Sequence, residues 1–193
     1  MTRRSAEVRR TEILEATIAV MLERGFAGAT TRDVTARLGV GRGLLHHYFA
    51  SWEELQRTAF AWLGEAAKAD AIAATAGAPP LERLDRLLDL MLARGDDAHW
   101  RLFADAWDEA QREAALARIH AEIGSWWRGQ VQEAIENAQE LGAAACPDAG
   151  AAAWRLSALA DGLRSSILLA QPALSRDLAL ELLRGAVRQE LGA

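Results

Sequence analysis

The chain has 193 residues, 51% of them hydrophobic, with a formal net charge of −5 and a single cysteine. This length and composition are sufficient for one or two domains with a substantial core. No run approaches the ~18 consecutive apolar residues that a membrane-spanning helix needs, and one cysteine excludes a disulfide framework within the chain. We therefore expect a protein of the reducing cytoplasm, without a membrane partner.

The charge is unevenly distributed along the chain. Residues 1–52 hold eight arginines and five acidic residues, whereas the remainder holds fourteen basic and twenty-two acidic residues. A net charge of +3 at one end suits contact with nucleic acid, and −8 on the rest favours solubility. The distribution predicts a basic head on an acidic body.

The pattern along the chain predicts an all-α fold of about nine helices. Alanine, leucine, arginine and glutamate dominate, and no segment shows the alternation of a strand. Capping residues, glycines and prolines mark the ends of the helices. The predicted helices cover residues 5–24, 31–38, 42–48, 52–74, 80–94, 97–110, 112–141, 149–170 and 175–191.

The most informative segment is Ala29–Phe49, with the sequence ATTRDVTARLGVGRGLLHHYF. Thr30 and Asp33 form a capping-box variant in which the hydroxyl accepts from a backbone N–H and the carboxylate can reach back. Gly39 supplies the positive φ that ends this helix. A helix, a turn of three to four residues and a second helix have the spacing that places the second helix in the DNA major groove. An ordinary helical hairpin is the alternative interpretation of this pattern.

The stretch around this segment resembles the TetR family of repressors. The matching positions are Ile13, Leu14, Ala16, Gly25, Phe26, Ala29, Thr30, Thr31, Val34, Ala36, Gly39, Val40, Gly43, Leu45, Tyr48, Phe49, Ser51, Glu53 and Leu55. The resemblance implies a three-helix DNA-binding head, here residues 1–50. It also implies a helical body for ligand binding and dimerisation, here residues 51–193.

The sequence departs from the family pattern at three positions. Gly41 replaces the usual Ser, His46 the usual Tyr, and Trp52 the usual Lys. Family members hold phosphates with that Tyr and that Lys, so both contacts are in question here. His46 can still donate to a phosphate, and the backbone N–H of Trp52 is expected to remain available to an anion at a helix start.

The family roles, carried over position by position, predict the DNA contacts. Arg32 and Arg42 are expected to read bases, because a guanidinium can bond bidentately to guanine O6 and N7. Gly43 lets the helix come close, and Leu44 is placed to touch a thymine methyl group. The predicted phosphate contacts, which fix the register, are Thr31, His46, His47 and Tyr48.

The body is rich in tryptophan, and its predicted effector-binding residues are Trp100, Phe103, Trp107, Asp108, Trp127, Trp154 and Asp161. Aromatic rings beside carboxylates suit an organic cation, at about 0.5–2 kcal/mol per cation–π contact. Core filling is the alternative for any single tryptophan. Residues 100–128 and the segment Asp161-Gly162-Leu163 are similar to the choline-responsive betaine-gene repressor group. That similarity implies a cationic effector, such as a quaternary amine or a polyamine.

The eighth predicted helix is apolar on two sides, so it is expected to have two partners. We expect its leucine-rich side to form a four-helix homodimer interface with the ninth helix. The predicted interface residues are Leu156, Leu159, Leu163, Ile167, Leu178 and Leu182. The side of Trp154 and Asp161 is then expected to face inward. Burial of both sides within one monomer is the alternative, although TetR-like proteins dimerise through these helices.

No pattern predicts catalysis, a metal site or a cofactor. His46 and His47 are neighbours about 100° apart on a helix, and His99 and His120 lack ligand spacing. We therefore expect a transcriptional regulator that binds a near-palindromic operator as a homodimer and is released by a small effector. The competing hypothesis is a helical protein-interaction module without sequence-specific DNA binding.

Overall fold

The computed structural model describes residues 3–92, 98–169 and 174–192, with side chains from residue 6 onward. These residues form helices and no strand, which confirms the predicted fold class. The nine helices are α1 (Arg3–Arg24), α2 (Thr31–Leu38), α3 (Gly43–Tyr48), α4 (Trp52–Thr75), α5 (Pro80–Met91), α6 (Ala98–Ala110), α7 (Ala114–Glu140), α8 (Ala149–Leu168) and α9 (Arg176–Leu191). The predicted helix limits at residues 94, 97 and 170 lie outside the described residues. None of the described helices has the length and apolar character needed to cross a membrane.

Side-chain caps fix the starts of several helices. Thr30 accepts from the Asp33 N–H at 3.3 Å, while the Asp33 carboxylate accepts from the Thr30 hydroxyl at 2.6 Å. The carboxylate therefore bonds to the side chain of Thr30, whereas the sequence pattern predicts a bond to the backbone N–H of Thr30. Gly39 ends α2 with φ = 66°, as predicted. Ser175 caps α9 by accepting from the Leu178 N–H, so α9 begins at Arg176.

The described part of the chain forms two compact units. Residues within Met1–Ala67 and Ala98–Ala121 make the first unit, and residues within Lys68–Asp97 and Glu122–Ala193 make the second. Packing thus groups α6 with the three N-terminal helices, and α4 and α7 each contribute to both units. The functional boundary expected between residues 50 and 51 stays a prediction.

The core of the second unit is built mainly from aliphatic residues on α5, α7, α8 and α9. Small residues on the inner side of α8 allow its backbone to pack closely against its neighbours. The fully or almost fully buried residues of this core include Leu84, Leu87, Leu88, Val131, Ala134, Ile135, Ala138, Ala152, Ala153, Leu156, Ala160, Ala179, Leu183 and Leu191. Ion pairs at the edges of this core, Asp85–Arg184 and Asp89–Arg176, join α5 to α9.

The Asp85–Arg184 pair predicts a pH-dependent contribution to stability. The two bonds from Arg184 to Asp85 measure 2.7 and 2.8 Å, and they lower the pKa of this carboxyl. Asp85→Asn should reduce the free energy of unfolding at neutral pH by at most about 1 kcal/mol, because solvent screens an exposed pair. Since the folded pKa lies below the unfolded value of about 3.9, the contribution is complete above that pH and disappears as the pH falls through the folded pKa.

Denaturant unfolding of both proteins between about pH 7 and pH 2 measures this effect. Asp70→Asn is the matched control, because Asp70 is exposed and has no ion pair among the described residues. A deficit in Asp85→Asn that does not shrink on acidification would contradict the prediction.

Candidate DNA-binding and effector sites

Helix α3 buries one side and exposes the other. At about 100° per residue, the exposed arc holds in order Arg42, His46, Gly43 and His47, all of them exposed. On the opposite side, Leu45 is 3% exposed and anchors the helix in the core. The exposed arc of α3 therefore carries one guanidinium, two imidazoles and one position without a side chain.

Gly43 leaves the backbone bare in the middle of the exposed arc. A Cβ added there would meet no atom within 4 Å, so a side chain would project away from the protein. Its absence lets another surface approach the helix backbone. The close approach of DNA at Gly43 stays a prediction.

Two residues predicted to contact DNA lie outside the exposed arc of α3. The Tyr48 hydroxyl is buried and has no hydrogen-bond partner among the described residues, and its ring meets that of His47 edge-on at 5.2 Å. As placed, this hydroxyl cannot reach a phosphate, which corrects the prediction for Tyr48. Tyr48 has this orientation because it lies three residues after the buried Leu45, on the side of the helix that packs inward. Leu44 is half-buried.

Helix α2 presents Thr31, half-buried, and Arg32, exposed, in its first turn. No hydrogen bond or ion pair within the described residues engages Arg32 or Arg42. Two other arginines of the head are paired instead, Arg24 with Asp33 at 3.3 Å and Arg37 with Glu23 at 2.6 Å. Arg32 and Arg42 are thus the guanidinium groups of α2 and α3 that remain available to a partner.

The start of α4 is occupied by the chain's own side chains. The Glu54 carboxylate accepts from the Ala50 N–H at 2.7 Å, and Ser51 Oγ accepts from the Glu54 N–H at 3.1 Å. Two hydrogen bonds lower the pKa of Glu53. The larger effect comes from its own backbone N–H and the smaller from the side chain of Ser51. A phosphate expected at the half-buried Trp52 would therefore meet two carboxylates, which the acidic pair in the sequence could have indicated.

Four aromatic rings and an imidazole form a chain of ring contacts in the first unit. The Trp100 and Phe103 rings lie 5.5 Å apart, so the structure brings these two predicted effector residues together. Phe103 lies 4.9 Å from Phe60, whose ring stacks on His120 at 6.2 Å and meets Phe26 edge-on at 5.9 Å. Sequence reasoning missed Phe60 and His120, because ring contacts between distant residues leave no periodic signal.

The other predicted effector residues of α6 lie apart from this cluster. Trp107 is 59% exposed and makes no ring contact within the described residues. Asp108 bonds to Arg112 one turn later at 2.8 Å. Neither side chain is joined to Trp100 and Phe103 by a contact.

The predicted effector residues of the second unit are also dispersed. Trp127 is 8% exposed and packs edge-on against Trp126 at 5.3 Å, which is the core-filling alternative. Trp154 is 60% exposed, and the Arg128 guanidinium lies 3.9 Å from its ring centroid. Asp161 is exposed and paired with Arg164 at 2.8 Å.

The two sides of α8 are reversed relative to the prediction. Leu156, predicted to lie in the dimer interface, is fully buried within the chain, whereas Trp154, predicted to face inward, is exposed. The physical reason is that alanines flank Leu156 on the helix surface and allow that side to pack closely. The other predicted interface residues of α8, all half-buried, share the inner side: Leu159, Leu163 and Ile167.

The exposed sides of α8 and α9 include small and apolar residues, which are here called the α8–α9 face. On α9 it includes Leu178 and Leu182, which are 40% and 47% exposed. Its exposed members on α8 are Trp154, Ala158, Asp161, Gly162 and Ser165. Exposed small residues on α8 and exposed leucines on α9 are suited to the close packing of a second pair of helices.

Known families match both parts of the chain. Residues 13–58 match the family described as bacterial regulatory proteins, tetR family. Residues 80–192 match the family described as BetI-type transcriptional repressor, C-terminal.

Individual relatives give the same assignment. The HTH-type transcriptional repressor KstR2 of Mycobacterium tuberculosis is 38% identical over 115 residues, which are 58% of this chain and 56% of that protein. The HTH-type transcriptional regulator BetI of Rhizobium meliloti is 32% identical over 119 residues, 58% of this chain and 57% of the relative. The chain thus spans little more than half the length of these curated relatives.

A solved structure extends the likeness in fold to nearly the whole chain. It is described as a transcriptional regulator from Saccharomonospora viridis in complex with choline. Its TM-score is 0.86 at 24% identity, with coverage of 96% of this chain and 98% of that one. At this level of identity the likeness concerns the fold.

Proposed function

Because this chain belongs to the TetR family of bacterial regulatory proteins, with a C-terminal domain of the BetI repressor type, we propose that it is a ligand-responsive transcriptional repressor. It binds a near-palindromic operator as a homodimer, and a small effector releases it. The observation that carries the proposal is the exposed arc of α3, which begins at Arg42 and holds the bare Gly43 opposite the buried Leu45.

The geometry of the head supports reading of bases in a major groove. Arg42 opens α3, the helix that enters the groove in a helix-turn-helix, and residues near the start of that helix reach base edges. Arg32 lies in the first turn of α2. Both guanidinium groups are exposed, and neither is committed to an ion pair among the described residues.

Arg42→Ala tests this reading of bases. We expect operator affinity to fall about ten- to a hundredfold and selectivity to relax at one base pair, because a bidentate contact discriminates by about 1–3 kcal/mol. Fluorescence anisotropy with an operator duplex and a random duplex measures both effects. Arg37→Ala, which removes an arginine already paired with Glu23, should change affinity much less. An equal loss on both duplexes would show that Arg42 holds only a phosphate.

The α8–α9 face supports a homodimer. A two-fold axis through this face would pair α8 and α9 with their copies in a four-helix arrangement. Two heads in one dimer match half-sites about 34–36 Å apart, or a multiple of that spacing. The interface we propose uses Leu178 and Leu182 with the outer side of α8, in place of the buried Leu156.

Two neighbouring leucines of α9 provide the test. Leu182→Asp should convert the dimer to folded monomers, because it places a charge on an exposed apolar position. Leu183→Ala, at a residue that is fully buried, should lower the free energy of unfolding by about 2–5 kcal/mol and leave a dimer. Sedimentation velocity and circular dichroism distinguish these outcomes. A stable dimer of Leu182→Asp would exclude this face.

An organic cation is the effector class that the aromatic cluster of the first unit supports best. The half-buried Trp100 and Phe103 offer adjacent rings, and indole faces attract cations. This chain already holds a guanidinium in that way, at Arg128 over Trp154. The predicted carboxylates are paired with arginines, so aromatic faces are the proposed recognition element. The BetI-type C-terminal region agrees with a quaternary amine such as choline.

The contacts of α4 provide a route from this cluster to the head. The Phe103 ring touches Phe60 of α4, and Phe60 touches Phe26 at the corner between α1 and α2. One turn before Phe60, the Gln56 side chain donates to the buried Phe26 carbonyl at 2.7 Å. An effector that shifts Phe103 therefore acts on the support of the head. Thermodynamic linkage requires the two effects to be equal: the effector weakens DNA binding by the same factor as DNA weakens effector binding.

Calorimetry with choline, betaine aldehyde and spermidine tests the effector class. We expect binding heat and a change of tryptophan fluorescence with at least one of them, because the cation would lie on the Trp100 indole. Trp100→Ala should abolish the response while operator affinity is kept. The control is Trp107→Ala on the same helix, since Trp107 makes no ring contact in the described region. Absence of heat with all three compounds would contradict the cationic class.

A further inference from the structure

We infer that operator binding by this chain is coupled to proton uptake at His46 and His47, so that affinity increases as the pH falls. The inference rests on the proposed function and concerns the regulation of its DNA-binding site. The proton is a second effector in this scheme, acting on the DNA-binding helix itself.

The geometry places both imidazoles where the DNA would lie. His46 lies between Arg42 and Gly43 on the exposed arc of α3, and His47 lies on the other side of Gly43. Both histidines are exposed. A duplex that approaches the bare backbone at Gly43 closely enough to meet Arg42 therefore comes within reach of both imidazoles. No other part of α3 is presented to solvent in this way.

The chemistry of imidazole makes this position sensitive to pH. Histidine is the side chain whose charge ordinarily changes between pH 5 and 8. A neutral imidazole donates one hydrogen bond, whereas an imidazolium donates two and carries a positive charge. DNA phosphates therefore favour the charged form, and a ligand that favours the protonated protein is bound more tightly as protons become available.

The charged groups on neighbouring elements leave the two imidazoles without an acidic partner. Asp33 of α2 bonds to Thr30 and Arg24, and Glu23 of α1 pairs with Arg37 of α2.

At the start of α4, Glu54 accepts from the Ala50 N–H, and Glu53 is engaged by Ser51 and by its own backbone N–H. The guanidinium of Arg10 on α1 lies 4.9 Å over the ring of Phe49, next to the end of α3. Neither histidine forms an ion pair within the described residues. A DNA phosphate would thus be the first anion to pair with either imidazole.

The dimer multiplies the effect. Two protomers bring four imidazoles to one operator, and each one that becomes charged against a phosphate releases a further counterion. The slope of log affinity against log salt should therefore steepen by about 0.9 for each imidazolium that pairs. Loss of affinity at higher pH and a shallower salt slope are expected together.

The experiment measures dissociation constants at about pH 8 and pH 6. The probe is a rhodamine-labelled duplex of about 30 base pairs, selected from a random library by the wild-type protein at neutral pH. We expect the wild-type dimer to bind about tenfold or more tightly at the lower pH, with a steeper salt slope. H46Q/H47Q, which keeps hydrogen-bonding side chains that do not titrate, should show the same affinity at both pH values.

Two further variants complete the test. H46K/H47K, with permanent charges, should bind at about pH 8 as tightly as the wild type does at about pH 6. H99Q, which removes an exposed histidine of α6, should retain the full pH dependence. Thermal unfolding checks that each variant is folded.

Failure of this inference and failure of the proposed function give different results. Selective binding with equal affinity at both pH values would overturn this inference alone, and so would pH dependence that persists in H46Q/H47Q. Absence of selective binding at every pH would overturn the proposed function and the inference together.

Discussion

The side chain of Phe60 is fully buried in the first unit and touches rings from three other parts of the chain. Its contact with Phe26 fixes α4 to the corner between α1 and α2, and its contacts with Phe103 and His120 fix the same helix to α6 and α7. Because the Gln56 amide satisfies the buried Phe26 carbonyl, the corner is held by packing and by a polar bond together. The orientation of α2 and α3, and hence of every residue we propose to meet DNA, depends on this arrangement.

Local signals predicted most of the fold. The cap at Thr30 and the positive φ of Gly39 each depend on residues only a few positions apart, so the sequence alone predicts them well. The sides of α8 were predicted wrongly, because the hydrophobic pattern weighs the large Leu156 and neglects the alanines beside it. Whether small residues mark the inside or the outside of a helix depends on the partners that pack there.

The candidate sites also combine features that depend on neighbouring residues in the sequence with features that depend on tertiary contacts. Arg32, Arg42 and Gly43 follow from position within a motif, and the structure places them on exposed surface. The Tyr48 hydroxyl and the acidic start of α4 depend on what surrounds them. The aromatic cluster could be predicted only in part, since Trp100 and Phe103 share a helix whereas Phe60 and His120 come from elsewhere. Contacts between residues far apart in the chain have no signature in a single sequence.

The ion pairs around α9 have a consequence for any work with this protein in solution. Arg184 and Arg176 bind carboxylates of α5. Near the end of α9, both carboxylate oxygens of Glu190 accept hydrogen bonds from Arg155 of α8. Salt screens such pairs, and it also displaces proteins from nucleic acid by a separate route. Ionic strength is therefore expected to act at two places, the groove contacts that we propose for α3 and the helix that carries Leu178 and Leu182. If added salt weakens both the dimer and the contacts with DNA, a salt titration of DNA binding reports both effects. The number of released counterions that it gives would then be larger than the number of phosphates that the two heads contact.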